Sequence, residues 1–128
     1  MYSQKVLEIF KNPSNAYKME NPSAVGRSAT CGGGDILDLF LKIENNIIVE
    51  ASFLTFGCAA AIVSGSVATE MLKGKTLEQA ATEVTNKAVI EKLGGLPPTK
   101  VHCSVLVEEA IIAAIDNYNA QCTVHNAQ

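Results

Sequence analysis

Between residues 35 and 56 apolar and polar positions alternate with a period of two, the mark of half-buried strands. Leu37, Leu39, Leu41 and Ile43 fall on one face, and Asp38, Phe40 and Lys42 on the other. After a break, Ile47, Val49, Ala51 and Phe53 continue in step. The break, Glu44-Asn45-Asn46, suits a hairpin loop because Asn tolerates positive φ. A three-residue loop pairs Leu41 with Val49, Leu39 with Ala51 and Leu37 with Phe53. A two-residue loop sets Leu41 against Glu50 and Leu39 against Ser52, so burial of one face selects the longer loop. That register puts Asp35 opposite Thr55, so the 31–35 loop and Cys58 leave the hairpin at the same end.

The flanking pattern predicts helices. Residues 2–10 form a short amphipathic helix with Val6, Leu7, Ile9 and Phe10 available for docking. Pro13 and Pro22 punctuate the loop that follows, and a short strand is expected over Val25–Ala29. Ala59–Lys73 reads as a helix closed by Gly74. Thr76-Leu77-Glu78-Gln79 has the form of a capping box opening a second helix, and Asn86 is a candidate cap for a third that ends at Gly94. The two prolines in Leu96-Pro97-Pro98-Thr99-Lys100 predict an extended, exposed loop. The last helix is expected to start near Ser104, with Glu108 and Glu109 early, and to run to about Asn119. Strands followed by helices imply an α+β fold, a small antiparallel sheet of about three strands with helices packed on one face.

Composition narrows the function. With 128 residues, 48% hydrophobic and 18% charged, the chain is one globular domain spanning 1–128 rather than a disordered segment. Trp is absent, so the core rests on Ile, Leu, Val and Ala. A net charge of −3 and the even spread of Lys and Arg argue against a nucleic-acid partner. The N-terminus carries charges inside its one apolar stretch, unlike a signal peptide, and no window of 18 apolar residues exists to span a membrane. A cytoplasmic location is expected. There, the four cysteines at 31, 58, 103 and 122 point to metal binding or thiol chemistry rather than disulfides.

Cys58 ends a strand and precedes a helix; Cys103 ends the Pro-Pro loop and also precedes a helix. A thiol at a helix N-terminus lies near unpaired N–H groups, which favour the thiolate. Cys31 lies in Cys31-Gly32-Gly33-Gly34-Asp35, where glycines let backbone approach an ion closely. His102 adjoins Cys103 and adds a neutral imidazole. Soft thiolates with one His or Asp suit zinc or an iron–sulfur cluster. A lone cytosolic cysteine is more often a small buried hydrophobe, His102 alone a capping or surface residue, and Asp35 alone a turn residue. Three cysteines at turns or helix starts, two of them at one end of the hairpin, shift that balance. Cys122 and His125 lie in a polar tail and are assigned no role.

Four segments then carry a resemblance. They are Tyr2-Ser3-Gln4-Lys5-Val6, Thr30-Cys31-Gly32 through Asp35, Phe56-Gly57-Cys58-Ala59-Ala60-Ala61-Ile62, and Leu96-Pro97-Pro98-Thr99-Lys100-Val101-His102-Cys103-Ser104. In this order they resemble the IscU/NifU N-terminal-type iron–sulfur cluster assembly scaffolds over nearly the whole chain. The resemblance implies a [2Fe–2S] cluster on Cys31, Cys58 and Cys103, with Asp35 or His102 as the fourth ligand. It implies a cysteine desulfurase as sulfur donor, with Cys103 the sulfur acceptor, and recipient apoproteins. It implies that Leu96, Pro97, Pro98, Thr99 and Lys100 bind a DnaK-type chaperone with its co-chaperone. A monomer or weak homodimer is expected, with zinc in the apo form.

The family usually has Cys-Gly-Asp, whereas two additional glycines separate Cys31 from Asp35 here. The Cys58–Cys103 interval looks like the IscU type, without the longer insertion of the zinc-bearing SufU type. The alternatives are a zinc-bound sulfur acceptor that activates a desulfurase, using the same ligands, and an enzyme with Cys103 as nucleophile and His102 as base. Adjacent residues on an extended segment point apart, which speaks against the latter.

Overall fold

The computed structural model describes residues 3–29 and 34–126, with side chains as far as residue 121. Ser3 caps α1 (Gln4–Lys11), its hydroxyl accepting from Val6 N at 3.2 Å. The same hydroxyl donates to Leu93 O at 3.0 Å, tying the helix to the end of another helix ninety residues along the chain. Val6 is the residue of α1 that enters the core.

Three strands, β1 (Ala24–Ala29), β2 (Ile36–Glu44) and β3 (Ile47–Phe56), form an antiparallel meander in the order β1-β2-β3. The expected strand at 25–29 is present. The hairpin between β2 and β3 departs from the expected register. Glu44 pairs with Ile47 across a two-residue turn in which Asn45 and Asn46 both have positive φ, 53° and 64°. Positive φ at both central residues matches the right-handed twist of the flanking strands. Ile43 then faces Ile48, but Lys42 faces Glu50, so Val49 is the extra residue of a bulge. The bulge resolves the conflict that argued against a two-residue loop. Leu41 meets Ala51, Leu39 meets Phe53 and Leu37 meets Thr55, two residues along from the expected partners. Ile48 is fully buried, while Ile47 and Val49 are exposed instead of continuing the core face.

The helices lie on one face of this sheet, as expected for the α+β class. They are α2 (Ala59–Leu72), α3 (Leu77–Glu83), α4 (Asn86–Leu93) and α5 (His102–Asn126). Helix α2 packs on β3, and α5 on β1 and β2. Between the layers, Leu37, Leu39, Leu41 and Phe53 from the sheet meet Val63, Leu72, Val107 and Ile111 from the helices, all at most 1% exposed. Burying each such large side chain contributes roughly 1.5–3 kcal/mol. Where α5 crosses β1 there is no room for a side chain: a Cβ on Gly26 would lie 2.2 Å from Ala110 O and 2.4 Å from Ala114 N.

Local signals explain the ends of the helices. Helix α2 stops before Gly74, at φ 85°, and Thr76 and Gln79 form the reciprocal capping box at the start of α3. Thr85, not Asn86, caps α4 through its hydroxyl to Ala88 N; Asn86 is the first helical residue, and its N–H donates to Glu108 Oε2. Gly94 closes α4 in the left-handed conformation. The Pro-Pro segment is not wholly extended, because Pro98–Lys100 closes one 3₁₀ turn with Lys100 N donating to Pro97 O. A proline with fixed φ is well suited to a first helical position. Helix α5 accordingly starts at His102, two residues before the expected point, and runs on past Asn119 to Asn126. Among the described residues, no helix is long and apolar enough to cross a membrane.

Candidate metal centre

Two helix starts and one strand start converge at the end of the sheet. Cys58 follows β3 and is the N-cap residue of α2, with extended backbone and a side chain that makes no capping bond. Its carbonyl instead accepts from Ala61 N and Ile62 N, holding the first turn, while the thiol turns towards α5. Cys103 occupies the first turn of α5, its thiol walled by Ala60, Ala61 and Leu96. Asp35 directly precedes β2. The ladder pairs Ile36 with Phe56, so Asp35 lies beside Gly57 rather than opposite Thr55. The expectation that Asp35 and Cys58 emerge at one end survives the change of register.

The sulfurs of Cys58 and Cys103 are 3.3 Å apart, far beyond a disulfide bond of about 2.05 Å, and both thiols are free. Cys103 Sγ lies 3.7 Å from Asp35 Oδ2. Donor atoms of Asp35, Cys58 and Cys103 all fall within 4.8 Å of one another. His102 Nε2 lies beside this group, 3.5 Å from Cys103 Sγ and 3.7 Å from Asp35 Oδ2. Cys103 is fully buried, Cys58 and Asp35 are half-buried, and the His102 side chain is 51% exposed, so the group opens to solvent on the His102 side. Cys31, expected as a third thiolate, lies outside the described residues, as do the side chains of Cys122 and His125.

Burial pushes the Cys103 thiol up to about 12, helped by the neighbouring Cys58 thiol and the Asp35 carboxylate. The position at a helix start led to the opposite expectation, a favoured thiolate. Desolvation and adjacent negative charge outweigh the helix dipole here, because both act directly on the sulfur. The arrangement also bears on the nucleophile–base reading. His102 and Cys103 sit in the first turn of a helix and do not point apart, which removes the geometric objection to that pair. A buried thiol held protonated is nonetheless the reverse of an activated nucleophile.

Two sulfurs and a carboxylate within 4.8 Å of one another, with an imidazole beside them, fit zinc or the iron of a cluster. Two thiolates on one tetrahedral metal stand about 3.8 Å apart, so the Cys58–Cys103 pair has to open by about half an ångström. Sequence reasoning missed Gly57. A Cβ there would come 2.8 Å from Asp35 Oδ1, and the signal available was a glycine between a strand end and a helix start.

The family model described as the NifU-like N terminal domain matches residues 1–125. Iron-sulfur cluster assembly scaffold protein IscU 1 of Archaeoglobus fulgidus is 48% identical over 118 residues, covering 92% of this chain and 76% of that protein. The Haemophilus influenzae protein named iron-sulfur cluster assembly scaffold protein IscU is 42% identical over 124 residues, covering 94% of this chain and 97% of its own length. Among solved structures, the FiSufU protein of Fervidobacterium islandicum AW-1 superposes with a TM-score of 0.73 at 22% identity, over 89% of this chain and 96% of that one. A NifU-like N-terminal protein from Brucella abortus gives 0.72 at 17% identity, over 93% and 94%. At such identities the structures show the fold alone.

Proposed function

The chain belongs to the NifU-like N-terminal domain family, and from that premise we propose that it is a scaffold on which an iron–sulfur cluster is assembled and then passed to apoproteins. The observation that carries this reading is the convergence of Asp35, Cys58 and Cys103, with His102 alongside, at one end of the sheet. The cluster is cargo, a [2Fe–2S] unit built from iron and sulfur that a cysteine desulfurase supplies. Cys31, Cys58 and Cys103 are the thiolate ligands, and Asp35 or His102 takes the fourth position. Cys103 accepts the terminal sulfur of the desulfurase persulfide, giving up its proton to the desulfurase cysteine, which leaves as a thiol.

The chain's own residues do three things. The start of α2 and the start of α5 hold two thiols 3.3 Å apart, so the ordering cost of bringing them together is met by the fold. The wall of Ala60, Ala61 and Leu96 keeps water from Cys103 and keeps its thiol neutral until an ion replaces the proton. The half-buried carboxylate and exposed imidazole offer harder donors at the open side, where a ligand that lets go readily favours release.

Residues 96–100 are the proposed chaperone-binding segment. Pro98 and Thr99 are exposed, whereas Leu96 is half-buried against the core. The test of the scaffold reading is anaerobic reconstitution with iron and sulfide. A brown species with two irons and two sulfides per site is expected, and protein purified in air is expected to carry zinc or little metal. Reconstitution that leaves zinc alone on the thiolates and no iron contradicts it.

A further inference from the structure

Gly57 stands between the last residue of β3 and the N-cap of α2, in contact with the Asp35 side chain. A Cβ built on it would lie 2.8 Å from Asp35 Oδ1, 3.0 Å from Asp35 Cγ and 3.3 Å from Ala61 Cβ. The carboxylate therefore occupies the space a side chain at 57 would fill. Its other oxygen, Oδ2, is the one that lies 3.7 Å from both Cys103 Sγ and His102 Nε2. One oxygen rests on the glycine while the other faces the thiol.

We infer that Gly57 is a positioning residue: the absence of its side chain seats the Asp35 carboxylate so that Oδ2 faces the Cys58–Cys103 pair. The inference rests on the reading of Asp35 as a ligand of the centre. Gly57 is not among the described residues with positive φ, so an alanine there meets no backbone penalty. The two atoms it would strike hardest, Asp35 Oδ1 and Cγ, belong to a side chain that can rotate about χ1 and χ2, so the carboxylate turns away while the backbone stays. Residues that orient a ligand typically govern affinity by 10–100-fold.

The experiment titrates metal-free protein anaerobically with Co²⁺, reading the visible bands of the thiolate-bound ion, in wild type, Gly57→Ala, Asp35→Ala and the double variant. Gly57→Ala is expected to weaken Co²⁺ binding about tenfold and to shift the bands in the direction Asp35→Ala shifts them. In the Asp35→Ala background it should change affinity less than about twofold, since the atoms it displaced are gone. Wild-type affinity and bands in Gly57→Ala, with Asp35→Ala weakened, overturn this inference and leave Asp35 a ligand. Equal losses in both backgrounds also overturn it. If Asp35→Ala itself binds and absorbs as wild type, the ligand reading fails, and with it any role in seating the carboxylate. Should Gly57→Ala lower the urea midpoint, Asp35→Ala must restore it; a midpoint still low in the double variant places the clash elsewhere and overturns the inference.

Discussion

Gly26→Ala tests the packing that sets Cys103 opposite Cys58. Ordinary Cβ contacts lie beyond about 3.4 Å, yet the new methyl would meet Ala110 O at 2.2 Å and Ala114 N at 2.4 Å. Both obstructing atoms are backbone in the middle of α5, so no side-chain rotation relieves them. The helix has to retreat from β1 by about an ångström, a gap that forfeits a quarter to a half of each dispersion contact. Leu106, Val107 and Ile111 are at most 2% exposed, and each contributes roughly 2 kcal/mol by its burial. The lost share amounts to about 2 kcal/mol, and strain brings the total to about 3 kcal/mol, the upper part of the range for overpacking. With a urea slope of about 1.5 kcal/mol/M, the midpoint falls by about 2 M at unchanged slope. Gly57→Ala is the control, since its neighbours are side-chain atoms, and it should stay within about 0.5 kcal/mol of wild type. A Gly26→Ala protein within about 0.5 kcal/mol of wild type would refute the packing argument.

Single changes of Cys31, Cys58 or Cys103 to Ser should each abolish stable cluster assembly, measured by absorption after reconstitution, while Cys122→Ser should not. Full assembly in any of the three removes that cysteine from the site. The Cys103 thiol, pushed up to about 12, keeps its proton throughout the neutral range, so metal entry must displace it. Zinc affinity of the metal-free protein should therefore climb at least about tenfold per pH unit between about pH 6 and about pH 8, and by about one decade per unit less in Cys103→Ala; equal slopes in the two proteins contradict that protonation state. The neutral thiol's contribution to folding is present below its ordinary value of 9.0 and fades as pH rises towards about 12. Wild type should lose more stability than Cys103→Ala over that interval, and parallel urea midpoints would count against it. Asp35→Ala should leave the cluster bound but slow its transfer to an acceptor, whereas a normal rate there with an altered spectrum in His102→Ala would give the fourth position to His102.

Three helix ends were legible because they are local, although the cap of α4 falls on Thr85 rather than Asn86. The Thr76–Gln79 box and the Gly74 and Gly94 stops depend on residues within one turn, and the structure has all three. The hairpin register was not legible, because Ile47-Ile48-Val49 presents three apolar residues in a row and either parity can be buried. Leu41 would face Glu50 only in an unbroken ladder; a bulge at Val49 lets the two-residue Asn-Asn turn and the buried face coexist. The start of α5 lies two residues before the expected point because Pro98, barred from a helix interior, is a favourable first residue of the turn that leads into it. At the site, Cys58 and Asp35 could be brought together from the hairpin alone. The burial of Cys103 could not, because it depends on Ala60, Ala61 and Leu96 from other parts of the chain. That tertiary wall reverses the ionisation the helix start suggested.

A scaffold must release what it assembles, so the most direct measurement follows the cluster itself. The reconstituted protein is mixed anaerobically with an apo-ferredoxin in the presence of a chelator that traps free iron, and both proteins are followed by circular dichroism in the visible range. The ferredoxin signal should rise as the scaffold signal falls, at the same rate and with nearly full yield despite the chelator. Iron appearing in the chelator while the ferredoxin stays apo, or a cluster that remains on this chain indefinitely, would contradict the account.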